Sequence, residues 1–114
     1  MNRFEISSGL DIEKLKEASQ GKPVLVFKHS TTCPISSTAL SRVERNWSDL
    51  DGLVEFYYLD LLANRSISNA LAEEFGIEHQ SPQVLLIKNG KCVYDASHFG
   101  IRAGEIASQI LNDE

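Results

Sequence analysis

The chain has 114 residues, 42 % of them apolar, which is enough for one hydrophobic core and too short for two domains. Its 11 basic against 16 acidic residues leave a net charge of −5 with no basic run, so a nucleic-acid backbone would be repelled. No apolar segment reaches the roughly 18 residues of a membrane span, Met1 to Ile6 lack the apolar stretch of an export signal, and two cysteines without such a signal point to a reducing, cytoplasmic setting.

Phe4 and Ile6 alternate with charged neighbours and predict a short edge strand over residues 3–6. Ser8, three positions before Asp11, resembles a capping box with aspartate in place of the usual Glu or Gln. Ile12, Leu15 and Ala18 form one apolar stripe, and Gly21 with Pro23 stops that helix. Residues 23–28 open with Pro23-Val24-Leu25-Val26-Phe27, an apolar block that reads as a buried strand. After a polar loop, Ile35, Ala39, Val43, Trp47 and Leu50 recur at three- and four-residue steps, the period of a helix over about 34–49 laid on a core. Pro34 suits its first turn, where a missing N–H costs nothing.

Asp51-Gly52 is a turn signal, and Val54 to Asp60 reads as a second core strand. Ile67, Leu71 and Phe75 mark a third helix closed by Gly76, and Ile77 to Pro82 is an extended approach to a proline. Gln83 to Lys88 and Lys91 to Ala96 are strands joined by Asn89-Gly90, a pair that favours a type I′ hairpin because both central residues need positive φ. Ala103, Ile106, Ala107, Ile110 and Leu111 supply a last amphipathic helix. No linker, repeat or low-complexity tract divides the chain, so residues 1–114 are expected to form one domain. Strands separated by a crossover helix must run parallel and the terminal hairpin antiparallel. The expected class is α/β: a mixed central sheet with helices on both faces.

Cys33 carries the chemistry. It falls between strand and helix, where unpaired backbone N–H groups and the positive end of the helix dipole favour a thiolate. A free cysteine is often no more than a small buried hydrophobe, but the polar loop, the helix start and Pro34 argue against that here. Ser36 either faces solvent or donates its hydroxyl to Cys33 one turn away. Serine cannot resolve a mixed disulfide, so the resolving thiol must come from elsewhere. Cys92 belongs to the second hairpin strand, toward the sheet edge, too far from Cys33 to bridge. Lys28 and His29 either raise the positive potential at the loop or serve as a strand-end surface charge and a loop hydrogen-bonding group. His79 and His98 read as structural or surface groups, Trp47 as core. No close-spaced ligand cluster appears, so no zinc site and no tightly bound cofactor is expected.

The element order, with a cysteine opening the second helix and a proline opening the hairpin's first strand, resembles the thioredoxin fold. That resemblance implies a cis Ser81-Pro82 bond lying against Cys33. Thioredoxin relatives carry Cys-x-x-Cys, whereas the fourth position here is Ser36. The decapeptide Phe27-Lys28-His29-Ser30-Thr31-Thr32-Cys33-Pro34-Ile35-Ser36 resembles the monothiol bacilliredoxins (YtxJ-like proteins) of bacteria that use bacillithiol in place of glutathione. The similarity extends to the N-terminal helix, the Ser81-Pro82-Gln83 turn and the Lys88-Asn89-Gly90 hairpin. It implies an oxidoreductase that removes bacillithiol from protein mixed disulfides through nucleophilic Cys33, supported by Thr32, Pro34, Ser36, Ser81 and Pro82. Lys28, His29 and Arg102 would be donors to the carboxylates of bacillithiol, and the Ser81 backbone would meet its cysteinyl part. Bacillithiol is then a co-substrate, bacillithiol-modified client proteins and a low-molecular-weight thiol are the partners, and the protein is expected to be a monomer. Two other readings stand beside this one. Monothiol redoxins can bridge an iron–sulfur cluster between two copies, usually through Cys-Gly-Phe-Ser, from which Pro34 and Ile35 depart. A redox-inactive thioredoxin-like adaptor would have a chemically inert Cys33.

Overall fold

The apolar blocks of the sequence become five strands of one sheet, in a computed structural model that describes residues 3–112. In chain order the elements are β1 (Arg3–Glu5), α1 (Gly9–Ala18), β2 (Val24–His29), α2 (Pro34–Arg45), a 3-10 turn at Trp47–Asp49, β3 (Glu55–Asp60), α3 (Arg65–Phe75), β4 (Gln83–Lys88), β5 (Lys91–Ser97), a 3-10 turn at His98–Gly100 and α4 (Ala103–Asn112). The strands lie in the order β1-β3-β2-β4-β5. β1 and β2 each pair parallel with β3, and β4 pairs antiparallel with both β2 and β5. The mixed sheet flanked by helices is the α/β class expected, and β1 is an edge strand as its length and charge suggested.

β2 sits at the centre and is buried along its whole length, which is why it is an almost unbroken apolar run. Successive residues of a strand point to opposite faces, so two cores form. On one face Leu25, Phe27, Phe56, Val84 and Leu86 pack with Ala39 and Val43 of α2 and Ile106 of α4. On the other, Val24, Val26, Leu59, Leu85 and Ile87 pack with Leu15 of α1 and Leu71 of α3. The same alternation sends His29 to the α2 face with Phe27, and Lys28 to the α1–α3 face with Val26.

Local signals behave as read. The Asp11 carboxylate accepts from the Ser7 and Ser8 amides at 2.8 and 3.1 Å, and these hydrogen bonds hold its carboxyl below the ordinary range. Gly76, at φ 66°, ends α3 in the left-handed conformation that lets the next amide turn back to Ala72. Asn89 and Gly90, at φ 52° and 77°, make the hairpin turn. The second helix is shorter than expected. Asn46 leaves helical geometry at φ −108°, ψ 23°, while its side-chain amide donates to the Arg42 carbonyl at 2.8 Å. α2 therefore stops at Arg45, and Trp47 reaches the core from the following turn, edge-on to Phe56 with ring centroids 5.5 Å apart. Among the described residues no helix is long and apolar enough to cross a membrane.

Candidate active site

β2 delivers the chain to the site. The His29 carbonyl still takes a sheet-side bond from the Leu61 amide at 2.9 Å, after which the chain turns out of the sheet. The turn is fixed by the Cys33 amide donating to the Ser30 carbonyl at 3.1 Å. Cys33 is the N-cap of α2, extended at φ −103° and ψ 115°, with Pro34 in the first helical position. Its carbonyl accepts from Ser37 at 3.1 Å, so the nucleophile's own backbone is part of the helix ladder. No acidic residue lies in the first turn of α2 and no side chain caps it. The partly exposed, unbridged Cys33 therefore stands at an open, positively polarised helix end. Thr32 is exposed beside it at the loop tip.

Ser36 follows neither expected course. It is fully buried, because positions 36, 39 and 43 share the inner face of α2. Its hydroxyl oxygen accepts from the Ser30 amide at 3.0 Å and lies 2.7 Å from Nδ1 of His29. Among the described residues no hydrogen bond joins it to the Cys33 sulfur. His29 is only 6 % exposed, and burial pushes its pKa below the ordinary histidine value, with Asp60 opposing. It braces the loop from beneath as a neutral imidazole and is not a cation presented to a ligand.

Lys28 requires a larger correction. It is not a strand-end surface charge but wholly buried, on the sheet face opposite α2, where it cannot meet the carboxylates of a solvated ligand. Its amine bonds Nδ1 of His79 at 3.3 Å, and burial draws its pKa from 10.5 to about 8. The cleft that Arg102 lines does not include Cys33. Arg102 is exposed there, beside Arg42, Asn46 and Asp49 on a cleft of about 560 Å3, and Arg42 stands nine residue steps from Cys33, ~13 Å of helical rise along α2.

The Ser81-Pro82 bond is cis, as the resemblance implied. Lys28 pairs with Gln83 across β2 and β4, so Ser81-Pro82 leaves the sheet at the same end as the loop to Cys33. Pro82 is buried and its carbonyl accepts from His98 at 3.1 Å. The hydroxyl oxygen of Ser81 is buried without a hydrogen-bond partner among the described residues.

A profile of monothiol bacilliredoxin BrxC matches residues 4–106. The chain belongs to the BrxC monothiol bacilliredoxin family. It is also similar, at 31 % identity and TM-score 0.82 over 94 % of this chain and 92 % of the other, to a thioredoxin-fold protein described as a candidate oxidoreductase. Thioredoxins of Fasciola hepatica (21 % identity, TM-score 0.72, 96 % and 98 % covered) and Trypanosoma brucei brucei (14 %, 0.75, 98 % and 90 %) share the fold. Family and fold together make this bacilliredoxin a redox protein of the thioredoxin class.

The second cysteine of this bacilliredoxin offers no partner to the first. Cys92 is half-buried in β5 against the core formed with α1 and α3, its thiol donates to the Tyr94 carbonyl at 3.4 Å, and burial pushes its pKa up. The site thus presents one free thiol at the start of α2, able to displace a thiol from a disulfide, with Ser36 rather than a second thiol at the position that would resolve the product. Among the described residues no cluster of three His, Cys, Asp or Glu side chains stands ready for a metal. Sequence reasoning missed Gln83. It is 1 % exposed, its amide donates to the Glu78 carbonyl at 3.1 Å, and its oxygen accepts from the Gln80 amide at 3.3 Å. The signal was a polar side chain directly after the proline, in an otherwise apolar strand.

Proposed function

We propose that this protein removes bacillithiol from protein mixed disulfides. The observation that carries the reading is a free cysteine, Cys33, at an open helix N-terminus whose usual partner position holds Ser36, buried and bonded to His29. The Cys33 thiolate attacks the bacillithiol sulfur of a protein–bacillithiol disulfide. A new sulfur–sulfur bond forms, the old one breaks, and the client leaves as its thiolate, which the medium protonates. A second bacillithiol thiolate then attacks the adduct, releasing bacillithiol disulfide and restoring the Cys33 thiolate. No step calls on a second protein cysteine, consistent with Cys92 being half-buried in β5. Bacillithiol is a co-substrate, and its cysteinyl backbone is read as pairing with Ser81 as a short added strand. Its carboxylates find donors in the backbone amides that open α2, because Lys28 is buried and the cleft lined by Arg102 does not include Cys33.

The test is a client protein carrying one bacillithiol per thiol, mixed with wild type or Cys33→Ser and followed by intact mass. Wild type should free the client and itself gain one bacillithiol on Cys33, and the variant should do neither. Client release by Cys33→Ser at the wild-type rate would overturn the reading.

A further inference from the structure

On the α3 side of the sheet a buried cation lies beneath an exposed imidazole. Lys28 has no solvent exposure, and among the described residues no carboxylate pairs with it. Its amine is 3.3 Å from Nδ1 of His79, and the Ser68 hydroxyl of α3 is 3.3 Å from the same nitrogen. His79 belongs to the stretch between α3 and β4 that has no regular secondary structure and ends in Ser81-Pro82. Two side chains therefore anchor that stretch. Gln83 holds Glu78 and Gln80 from within β4, and His79 reaches across to β2 and α3. Only the second anchor can be switched by a proton.

An ammonium group donates and has nothing with which to accept, so Nδ1 of His79 must present its lone pair. Protonation removes that lone pair and puts an N–H against the ammonium. The neighbours do nothing to relieve this. Burial first, then the cationic Lys28 on β2 and Arg65 on α3, hold the His79 pKa below the ordinary value. Cys92 on β5 acts on Lys28, favouring its charged form, while burial pushes the Cys92 thiol's own pKa up; it does not act on His79. Ser68 can adapt by rotating its hydroxyl, but Lys28 cannot.

We propose that His79 is a positioning residue for the exchange reaction: as a neutral imidazole it takes a hydrogen bond from buried Lys28 and holds the segment leading to Ser81 ready for the incoming disulfide, and it releases that segment when protonated. The proposal rests on the reading that the Ser81 backbone meets the substrate.

The experiment uses the full chain and three readouts between pH 7.5 and 5.5. They are amide exchange of residues 78–81, KM and kcat with a bacillithiol–peptide mixed disulfide, and alkylation of Cys33 by iodoacetamide. In wild type, protection should fall and KM rise several-fold as the pH drops through the His79 titration followed by NMR. His79→Ala should show low protection and a KM several-fold higher than wild type at every pH, with Cys33 alkylation unchanged. His79→Asn, whose side-chain oxygen can occupy the Nδ1 place and does not titrate, should restore protection and make both readouts flat with pH. Lys28→Met should raise the His79 pKa. Unchanged protection in His79→Ala would overturn the clamp itself. Lost protection with unchanged KM would instead overturn the docking of substrate on Ser81, on which the proposal rests.

Discussion

The Nδ1 atom of His29 lies 2.7 Å from the hydroxyl oxygen of Ser36, and both residues are buried, Ser36 on the inner face of the helix that Cys33 caps and His29 beneath it. The same oxygen accepts the Ser30 amide, so one hydroxyl ties the end of β2, the cysteine loop and the first turn of α2 together. The position that would carry a second thiol in a Cys-x-x-Cys protein is here spent on holding the loop.

Ser36→Ala should therefore destabilise the fold. It leaves the Ser30 amide and the His29 ring nitrogen buried without a partner, at a cost of roughly 1–3 kcal/mol. Urea unfolding measures it, and a loss below about 0.5 kcal/mol, the scatter of a neutral surface change, would show that the bridge carries nothing.

Ser36→Cys should convert the site into a dithiol. Positions three apart on a helix share a face, so the new thiol can turn toward Cys33, and neutral His29 can take its proton. The bacillithiol adduct on Cys33 should then be short-lived, and oxidation should remove two hydrogens from the protein mass. An adduct as durable as that on wild type would mean that the side chain at 36 stays locked under α2.

Lys28→Met should stabilise the protein at neutral pH, by about 1–3 kcal/mol, since it replaces a buried cation that has, among the described residues, no carboxylate partner and only a hydrogen bond to His79, with a side chain of similar length. The pH dependence has a definite sign. With its pKa lowered from 10.5 to about 8, Lys28 binds fewer protons in the folded than in the unfolded chain between those values. Wild-type stability relative to the variant must rise with pH across that window and reach a plateau above it. Paired unfolding curves at pH 7 and pH 10 decide this, and a gap that does not narrow would refute the buried-ammonium account.

Cys92→Ser should leave turnover nearly intact. The serine keeps a donor for the Tyr94 carbonyl, and stability should change by no more than about 1 kcal/mol. A folded variant without turnover would identify Cys92 as the resolving thiol.

Ser81→Ala removes a buried hydroxyl that has no partner among the described residues, and so should leave stability unchanged or raise it by about 1 kcal/mol. If substrate supplies the missing partner, KM for a bacillithiol mixed disulfide should rise while kcat holds. Lower stability would show that the hydroxyl is paired within the fold.

Much of this protein was legible without coordinates. Strand and helix periods, the turn at Asn89-Gly90 and Pro34 after Cys33 are local signals, set by steric and hydrogen-bonding preferences over a few residues. They determined the element order, and with it the parallel and antiparallel pairings and the helix-start cysteine. Tertiary structure alone decided which way Lys28, His29 and Ser36 point. Phe27, Lys28 and His29, consecutive at the end of β2, alternate between two faces, and which helices cover each face depends on strand order, a non-local property. Hence Lys28 and His29, adjacent in sequence and both readable as cations beside the thiol, end on opposite sides of the sheet. One is buried under His79 and the other beneath α2. Ser36 departs from both expected courses for the same reason, since its environment is built by a residue seven positions earlier that only the turn out of the sheet brings within 2.7 Å.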